Sequence, residues 1–288
     1  MVTAALRLIV LIVAFTTLLA PAALAQAPAA TPSPAAATAA QEDDPDMDPN
    51  RAQPDFNLVS LHTNLRLPRH KIAFRVTHRL GRSLGQGDFG DLAADLFGLD
   101  SGGIIGLEVR YGLIRGGQVG IYRTSDRTIQ FWGQYDVLSQ RNAPIGLSII
   151  ANVDGTDNFS DSYSPGISAV ISRELGERGA IYLQPAWINN SNPQPEALIE
   201  HNNTALVGVG ARLRIRRSTF LVFETAPRFS GFSDGAHHVS FGIEQQRGGH
   251  LFGLNFSNGI GSTLAQLSRG GSPNDEWFIG FNISRKFY

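Results

Sequence analysis

The sequence of 288 residues contains no cysteine, and this single absence removes several kinds of site. Without thiols the chain has no disulfide, no thiolate metal centre, no lipid-anchored cysteine and no covalent haem attachment. An exported chain of this kind must be stabilised by its own sheet or by a bilayer. Nothing in the composition implies a cofactor or a metal ion, and we expect neither.

Long apolar runs and an excess of one charge are also missing. After residue 25 no stretch is long and apolar enough for a membrane helix, which needs about 20 residues. The formal net charge is −1 and the arginines are dispersed, so we expect no nucleic-acid partner. No β–helix–β rhythm is present, which argues against a parallel sheet. The mature chain is therefore predicted to be either a soluble exported protein or a β-barrel.

The first 55 residues are predicted to lie outside the folded domain. Residues 1–25 have the pattern of a cleaved signal peptide, with Arg7 in the positive region, an apolar run over 8–20 and an A-x-A site at 23–25. Residues 26–55 are rich in Ala, Pro and acidic residues and carry few large apolar side chains. This composition predicts a disordered periplasmic spacer, and either this spacer or the outer loops could contact other envelope proteins.

Residues 56–288 are predicted to form one all-β domain. About twelve strand-like runs are bounded by turn residues, and most have about the nine to eleven residues that a tilted membrane strand needs. They lie near 70–79, 103–112, 118–124, 128–138, 145–153, 163–173, 179–189, 203–214, 218–227, 237–245, 250–257 and 276–287. Helical periodicity is present only around Phe89–Phe97. The short extended piece Leu58–Thr63 either pairs with a strand or tucks into the base of the fold.

The connections between these runs alternate in length. The short ones are Leu113–Gly117, Ser139–Pro144, Glu174–Arg178, Ile215–Arg217 and Gln246–Gly249, and the long ones are Leu80–Gly102, Asp154–Ser162, Asn190–Asn202, Arg228–Ala236 and Asn258–Asp275. Only Ser125–Arg127 breaks the rule. Short periplasmic turns and longer outer loops are typical of bacterial outer-membrane barrels, whereas a soluble sandwich has no reason to follow this alternation.

Within the runs, the large apolar residues and the charged residues occupy opposite faces. One parity carries residues such as Ile105, Leu107 and Val109, whereas Glu108 and Arg110 lie on the other. A lipid-facing arginine or lysine near the midplane would cost roughly 2–4 kcal/mol, so a membrane barrel with its apolar face outward explains the segregation. A soluble barrel would turn the same apolar face inward and could bind an apolar ligand.

The last run is typical of the closing strand of an outer-membrane barrel. Trp277, Ile279, Phe281 and Ile283 alternate with small or polar residues, and Phe287 and Tyr288 provide an aromatic end. Trp187, Trp277, Tyr111 and Phe287 all fall near strand ends, where aromatic girdles lie.

Several segments together resemble a family of bacterial outer-membrane β-barrel proteins of unknown function. These segments are Leu61-His62-Thr63, His78–Gly81 with Asp95–Asp100, Gly248–Asn258 and Phe278–Phe287. The similarity spans roughly residues 56–288. It implies a barrel fold of about twelve strands in the outer membrane of a Gram-negative cell, in contact with outer-membrane lipid, and it implies no activity.

Seven charged residues on the polar parity are the candidate functional residues. We expect them to line the lumen and to contact a solute, although they could equally pair with one another across a closed lumen. They are Arg75, Glu108, Arg110, Arg212, Arg214, Glu224 and Glu244. The favoured function is therefore a narrow, non-enzymatic pore or a membrane scaffold.

Histidines offer the alternative of an enzyme at the outer rim. His237 and His238 lie beside Asp234, and serine, histidine and aspartate near a barrel rim can make a hydrolase that acts on lipid or peptide. Adjacent residues of a strand point to opposite faces, however, so the two histidines are not expected to share one site. The pair also lacks a third ligand at a spacing typical of a metal site.

Overall fold

The protein is a closed antiparallel β-barrel in the computed structural model, which describes residues 45–194, 198–199, 201–232, 234–272 and 276–288. The predicted signal peptide and most of the predicted spacer lie outside the described residues. The strands are β1 (Ile72–Leu80), β2 (Gly103–Ile114), β3 (Gly117–Thr124), β4 (Ile129–Leu138), β5 (Gly146–Gly155), β6 (Tyr163–Glu174), β7 (Gly179–Asn189), β8 (Asn203–Arg216), β9 (Thr219–Ala226), β10 (Arg228–Ser230), β11 (His238–Arg247), β12 (His250–Ser257) and β13 (Phe278–Phe287).

Twelve of these strands close the ring, which confirms the predicted fold class. Strands β1 to β9 pair in chain order, β11, β12 and β13 follow, and β13 returns to β1 with Val76 opposite Ile283. The short β10 continues β9 beyond Pro227. Proline has no backbone N–H to donate, but its carbonyl oxygen accepts a hydrogen bond from the Val207 N–H of β8 at 3.0 Å, so the ladder resumes after a bend.

The alternation of loop lengths is confirmed by the strand bounds. Both described ends of the barrel domain lie at the edge with the short turns, which is the periplasmic edge of such a barrel. The predicted helical stretch forms α1 (Phe89–Ala94) and a 3₁₀ turn (Leu96–Gly98) in the first outer loop. A second short helix, α2 (Leu264–Leu267), lies in the last outer loop. No helix among the described residues is long and apolar enough to cross a membrane.

The apolar face of the sheet points outward, as the membrane prediction requires. Leu107 is 49% exposed and Phe131 is 47% exposed on the outer wall, whereas Glu108 is only 3% exposed. The polar residues of the strands face the lumen. A soluble barrel would have its apolar residues there instead. The wall therefore has the polarity of a barrel solvated by lipid.

The boundary of the spacer differs from its prediction at residue 55. Asp46, Ala52 and Gln53 are each at least nine-tenths buried against the periplasmic end of the barrel. Gln53 donates a hydrogen bond to Glu174 at 2.6 Å, and Arg141 donates one to Asp46 at 2.9 Å. Composition alone missed this packing because polar residues can be buried when the wall supplies their partners.

Candidate functional site: a plugged lumen

The lumen contains a tight hairpin formed by Asp55–Asn64, which we call the plug hairpin. The N–H of Leu58 donates to the carbonyl of Leu61 at 2.8 Å, and the N–H of Thr63 donates to the carbonyl of Phe56 at 2.9 Å. Asn57 and His62 form the bridge between its two arms. Of the two sequence alternatives for Leu58–Thr63, the segment therefore takes the second, and it tucks into the barrel.

The tip of the plug hairpin is apolar and packs inside the barrel. Leu58, Val59 and Leu61 are each 1% exposed, and they share one cluster with inward side chains of the wall. The wall residues of this cluster include Trp132, Ile150, Val170, Tyr182 and Val222. Burial of these side chains stabilises the tip inside the lumen.

One wall carboxylate binds the backbone N–H groups of the tip. Glu224 on β9 accepts hydrogen bonds from the N–H of Ser60 at 2.9 Å and from the N–H of Leu61 at 3.0 Å. The same carboxylate contacts His238 Nε2 at 3.2 Å and accepts the hydroxyl of Ser240 at 2.9 Å. Glu224 is fully buried, so these partners replace the water that it would otherwise bind.

The carbonyl of Val59 at the same tip is held by donors from the opposite wall. Arg75 on β1 donates to it, Arg79 donates at 3.2 Å and the amide of Asn282 on β13 donates at 3.1 Å. The tip therefore presents its N–H groups to a carboxylate and its carbonyl to arginines. This match of charge fixes the depth and orientation of the plug hairpin.

Two buried ion pairs of the wall also bind the first arm of the hairpin, at Asn57. Arg212 makes a two-point contact with Glu244, at 2.7 and 2.9 Å, and also donates to the carbonyl of Asn57. Arg110 pairs with Glu108 at 2.7 Å, and it also donates to the side-chain oxygen of Asn57. The wall charges thus pair with one another and with the plug hairpin at the same time.

The last outer loop closes the lumen from the other end. Leu267 of α2 belongs to the apolar cluster that contains Leu58 and Leu61, and the hydroxyl of Tyr122 donates to Ser262 at 2.8 Å. The cavity that remains between this loop and the tip measures about 10 Å³. Such a cavity has room for about one water molecule. The lumen is therefore filled from both ends.

The periplasmic ends of both arms are tied to the wall by polar contacts. Asp55 accepts the hydroxyl of Ser284 on β13 at 2.7 Å, and Arg66, which follows the second arm, pairs with Asp136 on β4 at 2.6 Å. Asp55 and Ser284 are at most 5% exposed, and the side chain of Asp136 is 4% exposed. These contacts therefore hold the two arms in addition to the buried contacts at the tip.

Six of the seven predicted site residues point into the lumen and surround the plug hairpin. They are Arg75, Glu108, Arg110, Arg212, Glu224 and Glu244, each at most 6% exposed. Arg214 lies lower, at the periplasmic rim, where it pairs with Glu177 at 3.2 Å. Contact with a solute stays a prediction for all seven.

Sequence reasoning missed three residues that complete the site. Ser60 supplies a backbone N–H, which leaves no signal in the residue type. Arg79 and Asn282 were detectable in principle. Arg79 shares the inward parity of Arg75 on β1, and Asn282 lies on the polar face of the last strand. Parity placed them in the wall, but nothing in the sequence linked them to the carbonyl of Val59.

The histidine pair lacks the geometry of a hydrolase. His237 is exposed and His238 is buried, so the two point to opposite faces, as expected. His238 uses the same Nε2 atom toward Ser240, at 3.4 Å, and toward Glu224. A catalytic histidine contacts its nucleophile and its acid through different ring nitrogens, and here the tip of the plug hairpin covers the group. Among the described residues, no group of three acidic or histidine side chains could hold a metal ion.

Comparisons with known proteins agree with this architecture. The family model described as "Membrane bound beta barrel domain (DUF5777)" matches residues 55–287. A search of curated proteins finds no match. The NanC porin is a similar solved structure, with a TM-score of 0.50 and 8% identity over 75% of this chain and 99% of that chain. This likeness shows the fold alone.

Two other similar structures have lower scores. The KdgM porin has a TM-score of 0.45 and 7% identity, over 76% of this chain and 99% of that chain. The outer membrane protein Omp33 of Acinetobacter baumannii has a TM-score of 0.46 and 11% identity, over 76% of this chain and 98% of that chain.

Proposed function

The chain belongs to the family of membrane-bound β-barrel domains, and from this premise we propose that it is a non-enzymatic outer-membrane pore for small polar solutes, held closed by its own plug hairpin. In this proposal residues 1–25 direct export and are removed. The pore opens when the hairpin leaves the lumen, and the wall charges then line the pathway. The observation that carries the proposal is the pair of hydrogen bonds from the hairpin tip to Glu224.

A removable plug is supported by how the hairpin is attached. Its arms bridge to each other, between Asn57 and His62, and not to a strand of the wall. All twelve wall strands keep their two neighbours whether or not the hairpin is present. The hairpin can therefore leave without breaking the ladder hydrogen bonds that hold the barrel in the membrane.

The lining that the hairpin would uncover suits a polar solute of either charge. The inner wall carries both charges: Arg75 and Arg110 contact Glu108, and Arg212 contacts Glu244. Arg79 and Glu224 are buried on the same inner face. A lumen with mixed charges attracts polar solutes and discriminates weakly between cations and anions. Asp136 and Asp154 on the same inner face balance the arginines, so no strong preference for cations or anions is predicted.

A scaffold without conductance is the second candidate, and one observation favours it. The plug hairpin is held by hydrogen bonds to fully buried charged groups, among them Glu224 and Arg212, and each such bond contributes about 1.5–3 kcal/mol. If the hairpin never leaves, the barrel is a rigid membrane anchor. The rim hydrolase has less support, because the buried His238 is not free to serve a nucleophile.

The test is single-channel recording of the wild-type protein and a Glu224→Gln variant in planar bilayers. The substitution keeps the size of the side chain but removes the charge that holds the tip. A loss of about 3 kcal/mol would raise the open probability roughly a hundredfold. Glu276→Gln in the outer loop is the matched control and should behave like the wild type. A folded Glu224→Gln barrel that never conducts would contradict the pore and favour the scaffold.

A further inference from the structure

The periplasmic edge of the barrel carries a ring of arginines. Each of the five short turns, or the strand end that enters it, contains at least one. The residues are Arg115 between β2 and β3, Arg141 between β4 and β5, Arg178 between β6 and β7, Arg216 and Arg217 between β8 and β9, and Arg247 between β11 and β12. Turn geometry does not require arginine, so it does not explain why every short turn has one.

Most of the ring is exposed and without a counter-charge. Arg141 donates to Asp46, but the other five form no ion pair with another described residue. The outer loops are mainly acidic, with Asp88, Asp91, Asp157 and Asp161, although Arg82 and Arg127 also lie there. The periplasmic edge has acidic groups as well, but they bind residues outside the ring: Glu174 accepts hydrogen bonds from Asn50 and Gln53, and Glu177 pairs with Arg51 and Arg214. The five arginines without an ion pair therefore give this edge a positive charge that suits a negatively charged partner.

The height of the ring places it at the headgroups of the bilayer. Arg115 follows Ile114, which is 51% exposed on the outer wall, and Arg216 follows Ile215, also 51% exposed. Arg178 lies three residues after Leu175, which is 44% exposed. These three arginines therefore lie at the periplasmic border of the lipid-facing band. From that position the apolar stem of each stays near the acyl chains while its guanidinium reaches the phosphate level.

We propose that this arginine ring binds the headgroups of anionic phospholipids in the periplasmic leaflet of the outer membrane. Guanidinium groups bind phosphate oxygens through two parallel hydrogen bonds, and an anionic headgroup adds a net negative charge that a zwitterionic one lacks. The ring would anchor the barrel at a fixed height and enrich such lipids around it. The proposal depends on the orientation of the barrel and not on whether the pore opens.

The test measures which lipids stay with the protein. Wild-type protein is exchanged into detergent micelles containing equal amounts of phosphatidylglycerol and phosphatidylcholine, purified again, and its retained lipids are quantified by mass spectrometry. Because one arginine near an anionic surface is worth about fivefold in binding, we expect at least about a fivefold excess of phosphatidylglycerol. The excess should fall when the wash contains about 500 mM salt instead of about 50 mM, because salt screens the attraction between exposed charges.

The decisive comparison is between two arginine variants. A ring variant combines Arg115→Gln, Arg178→Gln, Arg216→Gln, Arg217→Gln and Arg247→Gln, and its preference should disappear. The control variant, Arg123→Gln with Arg127→Gln at the outer edge, should retain the wild-type preference. Heat-modifiable gel migration checks that each barrel is folded. If the ring variant does not fold, the pair Arg216→Gln with Arg217→Gln should still lower the preference.

Two results would overturn the proposal. The first is equal retention of both lipids by the wild type, or an excess that the ring substitutions leave unchanged. The second concerns the chain's own acidic residues before the described region. If phosphatidylglycerol is preferred only after Glu42→Gln, Asp43→Asn and Asp44→Asn are introduced, the ring binds this acidic segment and not the lipid.

Discussion

The carboxylate of Glu224 and the backbone N–H of Ser60 lie 2.9 Å apart, although the two residues are separated by 164 positions in the chain. This contact joins the wall of a membrane barrel to the tip of a hairpin that precedes its first strand. A buried carboxylate that binds two backbone N–H groups stabilises one position of the hairpin. The same contact is one of several that must break before the hairpin can leave the lumen.

Two glycines of β8 leave space for the tip of the hairpin. Adding a methyl group at one of them should displace the tip. A Cβ atom at Gly210 would lie 2.2 Å from a methyl group of Leu58 and 3.1 Å from the carbonyl oxygen of Phe223. Gly210→Ala should therefore destabilise the closed state by about 1–3 kcal/mol and raise the open probability in bilayer recordings. Gly253→Ala is the matched control, since its added Cβ would meet nothing closer than 3.5 Å. Equal effects of the two substitutions would contradict the fit of the tip.

The ion pair between Arg212 and Glu244 should show strong coupling in a double-mutant cycle. Arg212→Met leaves Glu244 buried without its partner, and we expect a loss of about 3–5 kcal/mol in the free energy of unfolding. Adding Glu244→Gln should recover part of that loss, because no unpaired charge is then left in the lumen. The measurement is urea unfolding in detergent, followed by gel migration. Additive losses would mean that the two side chains do not interact.

The sequence predicted the wall of this barrel more completely than its contents. Alternation at a period of two placed Glu224 and Arg212 on the inner face, because strand geometry alone decides which face a residue occupies. Their partners, the backbone of Ser60 and of Asn57, belong to a segment outside the sheet. A backbone group has the same chemistry in every residue, so no pattern of side chains identifies it as a partner.

Composition also could not predict where the spacer ends and ordered packing begins, for a related reason. Asp46 and Gln53 are polar, and a polar, proline-containing stretch is typical of disorder. Both are buried because Arg141 and Glu174 on the periplasmic turns provide their hydrogen bonds. Whether a polar segment is ordered therefore depends on partners that are far away in the sequence.

The first outer loop should lose order in acid. The hydrogen bond from Arg82, at 2.7 Å, holds the pKa of Asp95 below its ordinary value. A lowered pKa in the folded loop means that the stabilisation is present above the ordinary pKa, near 4, and is lost as the pH falls through the lower value. A spin label on Leu99→Cys, the only thiol in the chain, should become more mobile as the pH falls below the ordinary aspartate pKa, near 4. Asp95→Asn should give the mobile spectrum at every pH, and a pH-independent wild-type spectrum would contradict this role.

A reversible crosslink of the plug hairpin to the wall is the most direct measurement of the central claim. A Cβ atom at Gly146 would lie 3.6 Å from the Cβ atom of Asn64, within the roughly 3.5–4.5 Å that a disulfide spans. The Ser172 hydroxyl, 2.6 Å from that Cβ atom, is the free end of a side chain and can rotate away. The chain has no other cysteine, so Asn64→Cys with Gly146→Cys forms one defined bond.

The recording is made on this cysteine pair combined with Glu224→Gln, so that openings are frequent. We expect no conductance while the disulfide is intact and full conductance after reduction. Each of the two single-cysteine variants should conduct equally with and without reductant. The same conductance before and after reduction, with the disulfide verified, would show that ions pass without displacing the plug hairpin and would contradict the account.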